Sequence, residues 1–247
     1  MQLFRSILSR RMLALILCAI LIYVNAFTSV KVFAKVCTNQ PAFRCTANKQ
    51  AEADQAHNNN LAITAKAAVL IDNASGRILY AKNKDKKLIP ASITKIMTLL
   101  LIFESIEQGK CKLEDKVTVS EYAASMGGSQ VFLEPGETQD VNTMIKCISI
   151  ASTNDAAVAM AEHLAGSEQS FVKRMNKKAK ALGMKHTHFK NCNGLDDSIE
   201  SGHYSSAYDV ALMSQSLVSK YPDISKYSTV WMDAITHITK KGKKKLG

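Results

Sequence analysis

The run from Ile93 to Phe103 is the strongest constraint in the chain. Ile96, Met97, Leu99, Leu100, Leu101 and Ile102 leave a helix built from it with no polar side. A helix that is apolar all round cannot lie on a surface and belongs in the middle of a domain. The chain has 247 residues, 47% of them hydrophobic, enough to cover such a helix within one large domain or two small ones. Pro90 precedes the run, and Ser92 falls at its N-terminus.

The flanking segments supply candidate cover. Ala68 to Ile71 and Arg77 to Tyr80 are short β-prone runs separated by Asn73-Ala74-Ser75-Gly76, a hairpin pattern with Gly76 suited to positive φ. Residues 110–140 read as loop and short elements, with KVTVS a strand and Glu134-Pro135-Gly136-Glu137 a turn. Residues 141–151 form a helical pattern with Met144, Ile145, Ile148 and Ile150 inward, interrupted by Ser152-Thr153-Asn154-Asp155. An alanine-rich helix follows from Ala156 to Ala165, closed by Gly166. Further helices are predicted over Ser170–Leu182 and Ser206–Ser219, with HFKNCNGLDD a loop between them.

The first 34 residues differ in kind. Arg5, Arg10 and Arg11 precede an almost wholly apolar Met12–Phe27, Val32-Phe33-Ala34 offers a cleavage site, and no acid occurs before Glu52. This pattern predicts a secretory signal peptide over 1–34. The rival reading is an uncleaved membrane anchor. Residues 35–64 read as a polar spacer, 65–232 as the folded domain and 233–247 as a basic tail. Net charge is +11; without the four cations of residues 1–34 it is +7. No basic face carries aromatic or groove-reading elements, so nucleic acid is not an expected partner. A basic extracytoplasmic protein could favour anionic cell-wall polymers or a membrane surface, but a solvated basic surface is the plainer reading. Of six cysteines none shows C-x-x-C spacing, so zinc and thioredoxin-like readings fail and no metal site is expected. Cys37 and Cys45 could pair with each other, and most of the rest read as buried or incidental thiols.

Two short strings carry candidate chemistry. Ser92 and Lys95 lie three residues apart, one helical turn, so the amine can reach the hydroxyl. An amine among apolar side chains is disfavoured as ammonium and can act as a base toward serine. The helix N-terminus adds partial positive charge, and the Ser92 N–H can serve one side of an oxyanion hole. The plain alternative is a serine cap followed by an ordinary helical lysine. Ser152-x-Asn154 sits at a helix junction where a hydroxyl and an amide could face a cleft; equally, Asn154 or Asp155 could simply cap the next helix.

S-x-x-K followed about 60 residues on by S-x-N is the pattern of penicillin-recognising serine enzymes. LIPASITKIMT, ISIASTNDAAVAMAEHLAG, FKNCNGLDD and HYSSAYDVALMS, within a span from Ala65 to Trp231, resemble the serine-type D-alanyl-D-alanine carboxypeptidases of peptidoglycan metabolism, the low-molecular-mass penicillin-binding proteins. The resemblance implies an α+β, β-lactamase/transpeptidase-like fold: an antiparallel sheet with flanking helices, a mostly helical lobe, and the active site between them. It implies that Ser92 attacks the bond between two D-alanines of a stem peptide, that Lys95 is the base, and that Ser152 and Asn154 complete the second motif. It implies β-lactams as acylating inhibitors and no cofactor.

The family's third motif, Lys-Thr-Gly or Lys-Ser-Gly, does not occur. Lys240-Lys241-Gly242 lacks the middle hydroxyl and reads as a chance match. The expectation is a chain truncated before that motif, with weak or lost turnover, since one missing oxyanion donor typically costs about 10²–10³ in rate. The same expectation leaves the hairpin with an unpaired edge and the Ser92 helix with an uncovered apolar face. Two other readings stay open. A β-lactamase needs a positioned glutamate after the second motif, and residues 183–199 offer only Asp196 and Asp197. A non-catalytic pseudoenzyme or wall-binding protein fits the missing strand.

Overall fold

The computed structural model describes residues 61–195, 201–239 and 242–245. The predicted signal peptide and most of the spacer, with Cys18, Cys37 and Cys45, lie outside these residues, as do Asp196, Asp197 and Lys240-Lys241.

Strands β1 (Ala68–Ile71) and β2 (Ile78–Lys82) pair antiparallel, with a register shift between Leu70 and Ile71. Their turn forms where the sequence places it. Asp72 accepts from the Ser75 N–H at 2.8 Å, and Gly76 takes a φ of +71° that other residues adopt only with strain. A 3₁₀ turn, Ala91–Thr94, then runs directly into α1 (Lys95–Glu107).

Helix α1 is the centre of the fold. Met97, Leu100, Leu101 and Ile102 are at most 2% exposed. Around it stand β3 (Lys116–Thr118), the short α2 (Glu121–Ala124), β4 (Thr138–Asp140), α3 (Val141–Ala151), α4 (Asn154–Ala165), α5 (Glu168–Ala181) and α6 (Ala207–Lys220). A 3₁₀ turn at Pro222–Ile224 leads to α7 (Ser225–Ser228), then β5 (Thr236–Thr239) and β6 (Gly242–Lys245). The sheets among the described residues are three antiparallel pairs, β1-β2, β3-β4 and β5-β6.

Most helix starts follow from their caps. The side chains of Asp140, Ser167 and Ser206 accept from the backbone N–H three residues on, fixing the starts of α3, α5 and α6. Helix α4 begins two residues before the predicted Ala156, because Thr153 takes the extended cap conformation and Asn154 already turns helically. The predicted exposed face on α1 is not found. From Met97 to Phe103 every residue is buried, and the exposed apolar side chains lie beside it instead: Ile89 and Ile93 before the helix, Leu70 and Leu79 on the hairpin. Helices α3 to α6 suffice to cover α1, so the uncovered surface falls to the two-stranded hairpin.

Residues 233–247 are more than a basic tail. Strand β5 joins the domain through buried polar groups: Gln139 Nε2 donates to Thr236 O at 2.9 Å, and His237 Nδ1 lies 2.9 Å from Glu137 Oε1. Glu137 is fully buried and also accepts from the Glu134 N–H and from Gln139 Nε2. Burial alone pushes its carboxyl up, but the His237, Glu134 and Gln139 hydrogen bonds outweigh it, and the pKa falls below its ordinary 4.5. A carboxylate with a lowered folded pKa stabilises fully above its unfolded value and loses that contribution as pH falls through the folded one. Glu137→Gln is therefore expected to destabilise the protein by roughly 1–3 kcal/mol at pH 7. In thermal melts the gap between the two proteins should narrow as pH drops below 4.5; a gap that is constant or widens on acidification contradicts this role.

Candidate active site

Ser92 sits in the exposed 3₁₀ turn and Lys95 opens the buried helix. The change from one to the other within a single turn sets the site's electrostatics. The Lys95 side chain reaches back, placing Nζ 3.2 Å from Ser92 Oγ and 2.8 Å from the Asn193 carbonyl oxygen. Lys95 is 3% exposed. Burial pulls its pKa down from 10.5 to about 8, against smaller opposing pulls from Cys192 and Asp155. The helix N-terminus, which repels cations, works in the same direction as burial. A neutral amine that donates one N–H to the Asn193 carbonyl can turn its lone pair toward the serine hydroxyl. That is the geometry of a general base beside its nucleophile.

Ser152 lies at the α3–α4 junction, where its left-handed backbone, φ 55° and ψ 39°, ends one helix before the next begins. Ser92, Lys95 and Ser152 line one cavity of about 320 Å³, whose apolar wall includes Ile96, Leu99 and Ile148. Asn154 opens α4, two residues after Ser152. It is buried, its amide donates to the Gly127 carbonyl at 2.7 Å, and it is not among the residues lining the cavity. Its backbone N–H donates to Ser129 O at 2.7 Å, so Asn154 secures the 127–129 segment.

Two contributors were not named as site residues in the sequence. The Asn193 carbonyl holds the base through a backbone atom, for which no side-chain pattern exists. His203 is 7% exposed, and its ring lies 2.9 Å from Thr94 Oγ1. The Lys190 N–H donates to its Nδ1, which puts the proton on Nε2, facing Thr94 in the turn that carries Ser92.

A second cavity, about 310 Å³, is lined by Asp140, Lys146, Asp233 and Thr236 and contains none of the four motif residues; its Lys146 is paired with Asp233 at 2.7 Å. Among the described residues, Cys111, Asp115 and His163 could bring metal-binding atoms within 4.8 Å of one another. None of the three lines the cavity that holds Ser92, Lys95 and Ser152. Cys111, Cys147 and Cys192 are free, buried thiols. Among the described residues no helix is long and apolar enough to cross a membrane.

Comparison with known proteins places this geometry. The D-alanyl-D-alanine carboxypeptidase family model, Peptidase S11, matches residues 50–245. D-alanyl-D-alanine carboxypeptidase DacF of Bacillus subtilis (strain 168) is 55% identical over 191 residues, 77% of this chain and 48% of that protein. DacA of Escherichia coli (strain K12) is 42% identical over 167 residues, 65% of this chain and 41% of that one. The chain thus spans about half the length of the curated relatives it matches. The solved structure of the DacD carboxypeptidase from Francisella tularensis superposes with a TM-score of 0.68 at 33% identity, covering 76% of this chain and 44% of that one. Penicillin binding protein 5 from Haemophilus influenzae gives 0.65 at 35% identity, covering 74% and 52%. Penicillin-Binding Protein D2 from Listeria monocytogenes, solved in its ampicillin-bound form, gives 0.58 at 29%, covering 75% and 73%. With a serine–lysine pair at the head of its central helix and a family match over most of its length, this chain belongs to the peptidase S11 family, the D-alanyl-D-alanine carboxypeptidases.

Proposed function

We propose that this chain carries the acyl-transfer centre of a serine hydrolase that removes the terminal D-alanine from peptidoglycan stem pentapeptides, and that β-lactams acylate the same serine. The observation that carries the reading is the buried Lys95 amine 3.2 Å from Ser92 Oγ. Ser92 Oγ attacks the carbonyl carbon of the penultimate D-alanine while Lys95 Nζ takes its proton. The tetrahedral intermediate collapses as the C–N bond breaks. The departing amine of terminal D-alanine takes a proton, for which the Ser152 hydroxyl on the same cavity is the relay. Water then attacks the ester, Ser92 regains its hydrogen, and the shortened stem leaves. Asn154 holds the 127–129 segment in place beside this centre. Such a substrate lies outside the cytoplasmic membrane, and the cationic start with its apolar run at Met12–Phe27 supports delivery there. The net charge of +7 beyond residue 34 suits an anionic cell wall or membrane surface.

Labelling with a fluorescent penicillin tests the reading. The expected result is a stable covalent adduct on the peptide containing Ser92, absent in Ser92→Ala; Lys95→Met should slow its formation by roughly 10²–10⁴-fold. Folded protein that takes no label would make the chain a non-catalytic member of its family, and rapid turnover of the label would make it a β-lactamase.

The pH dependence follows from the base. Lys95 must be neutral to accept the serine proton, and its pKa is about 8. The acylation rate is therefore expected to rise about tenfold per pH unit below that value and to level off above it. A rate independent of pH between 6 and 9 removes Lys95 as the base.

A further inference from the structure

The loop that receives the Lys95 amine also presses on the nucleophile's own backbone. Gly194, at φ +85°, has the Ala91 carbonyl oxygen only 1.8 Å from where a Cβ would stand, the Ala91 carbonyl carbon at 2.4 Å and the Ser92 nitrogen at 3.0 Å. These are main-chain atoms, so no rotamer change could make room. Ala91 itself sits at a φ of 46°, an uncommon conformation for alanine that must be held by its surroundings.

The loop is braced internally to hold this position. Asn191 Oδ1 accepts from the Gly194 N–H at 2.8 Å, and Asn191 Nδ2 donates to Leu195 O at 2.5 Å. Asn193 Oδ1 accepts from the Leu195 N–H at 2.8 Å. Two further bonds tie the loop to α1: Lys95 Nζ to Asn193 O at 2.8 Å and Thr98 Oγ1 to Cys192 O at 2.5 Å. One rigid segment therefore touches both partners of the proton transfer, the base through a carbonyl and the nucleophile through its backbone.

We propose that Gly194 is a positioning residue: having no Cβ, it lets the Asn191–Leu195 loop seat directly on the Ala91–Ser92 backbone and so fixes the Ser92 hydroxyl relative to the Lys95 amine. The proposal rests on the reading of Ser92 as nucleophile and Lys95 as base. It assigns the reacting distance to a contact between two loops and not to the helix alone.

Gly194→Ala tests it against Gly183→Ala. Gly183 has nearly the same left-handed backbone, φ +76°, with nothing within 4 Å of the added carbon. Both variants carry the same conformational strain, and only one carries the clash. Gly194→Ala is expected to lose roughly 100-fold or more in the rate of penicillin acylation, as a misplacement of the reacting groups by about 1 Å would. Its pH inflection should move upward as the amine's seat loosens, while Gly183→Ala keeps the rate and profile of the unaltered protein. Asn191→Ala, which adds no atoms, should shift rate and profile in the same direction by a smaller factor. A folded Gly194→Ala that acylates as fast and with the same profile as Gly183→Ala overturns the proposal. If Gly194→Ala does not fold, an unchanged rate and profile in Asn191→Ala overturns it. If the unaltered protein takes no label at Ser92, the functional reading fails by itself. The positioning claim is then decided by NMR titration of the Lys95 amine, which must move in Gly194→Ala, or in Asn191→Ala should that variant alone fold.

Discussion

A lysine amine withdrawn from water at the start of the central helix is the interaction on which this structure turns. Lys95 shares the burial of the apolar run that follows it, being 3% exposed while Met97 and Ile102 are fully enclosed. The burial that builds the core thus also lowers the amine's pKa to about 8. At pH 7 roughly a tenth of such amines are neutral, against fewer than about one in a thousand for an unperturbed lysine. Folding and basicity are therefore two consequences of one placement. The cost of burying the amine is limited by its bonds to Asn193 O and Ser92 Oγ, which give its N–H groups partners that water no longer supplies.

The surrounding architecture serves that placement. A left-handed residue at 152 stops α3 at the edge of the cavity, and Asn154 ties down the neighbouring segment. The 190–195 loop closes over the amine, with the Cys192 N–H held by Glu168, which is in turn bonded to Tyr122. Burial, followed by the Glu168 hydrogen bond and charge, pushes the Tyr122 phenol well up, so it remains a donor across the working pH range. Several elements distant in sequence thus converge on the Ser92–Lys95 turn.

Much of this was legible in the residues. The all-apolar run required a central helix, the Asn73–Gly76 cluster a turn, and Ser92 and Lys95 a shared face, because each depends on local spacing alone. Ser152 was readable as a junction because four polar residues broke two helical patterns. The role of Asn154 was only half readable: sequence fixed it at the junction, but the Gly127 carbonyl that takes its amide lies 27 residues away. The Asn193 carbonyl and the Gly194 contact left no signal, since one is a backbone atom and the other a missing side chain. Strand β5 was faintly legible in the weak alternation of DAITHIT, whereas β6 was obscured by its lysines. The anchor of β5, His237 against Glu137, is a contact 100 residues apart.

The most direct test of the central claim is the titration of the Lys95 amine itself, followed by NMR on protein with isotopically labelled lysine and assigned through Lys95→Arg. The expected result is one lysine titrating near pH 8, missing in that variant, while the others titrate near the ordinary 10.5. A Lys95 that remains charged until pH 10 or above would contradict the account, because no neutral amine would then stand beside Ser92 near neutral pH.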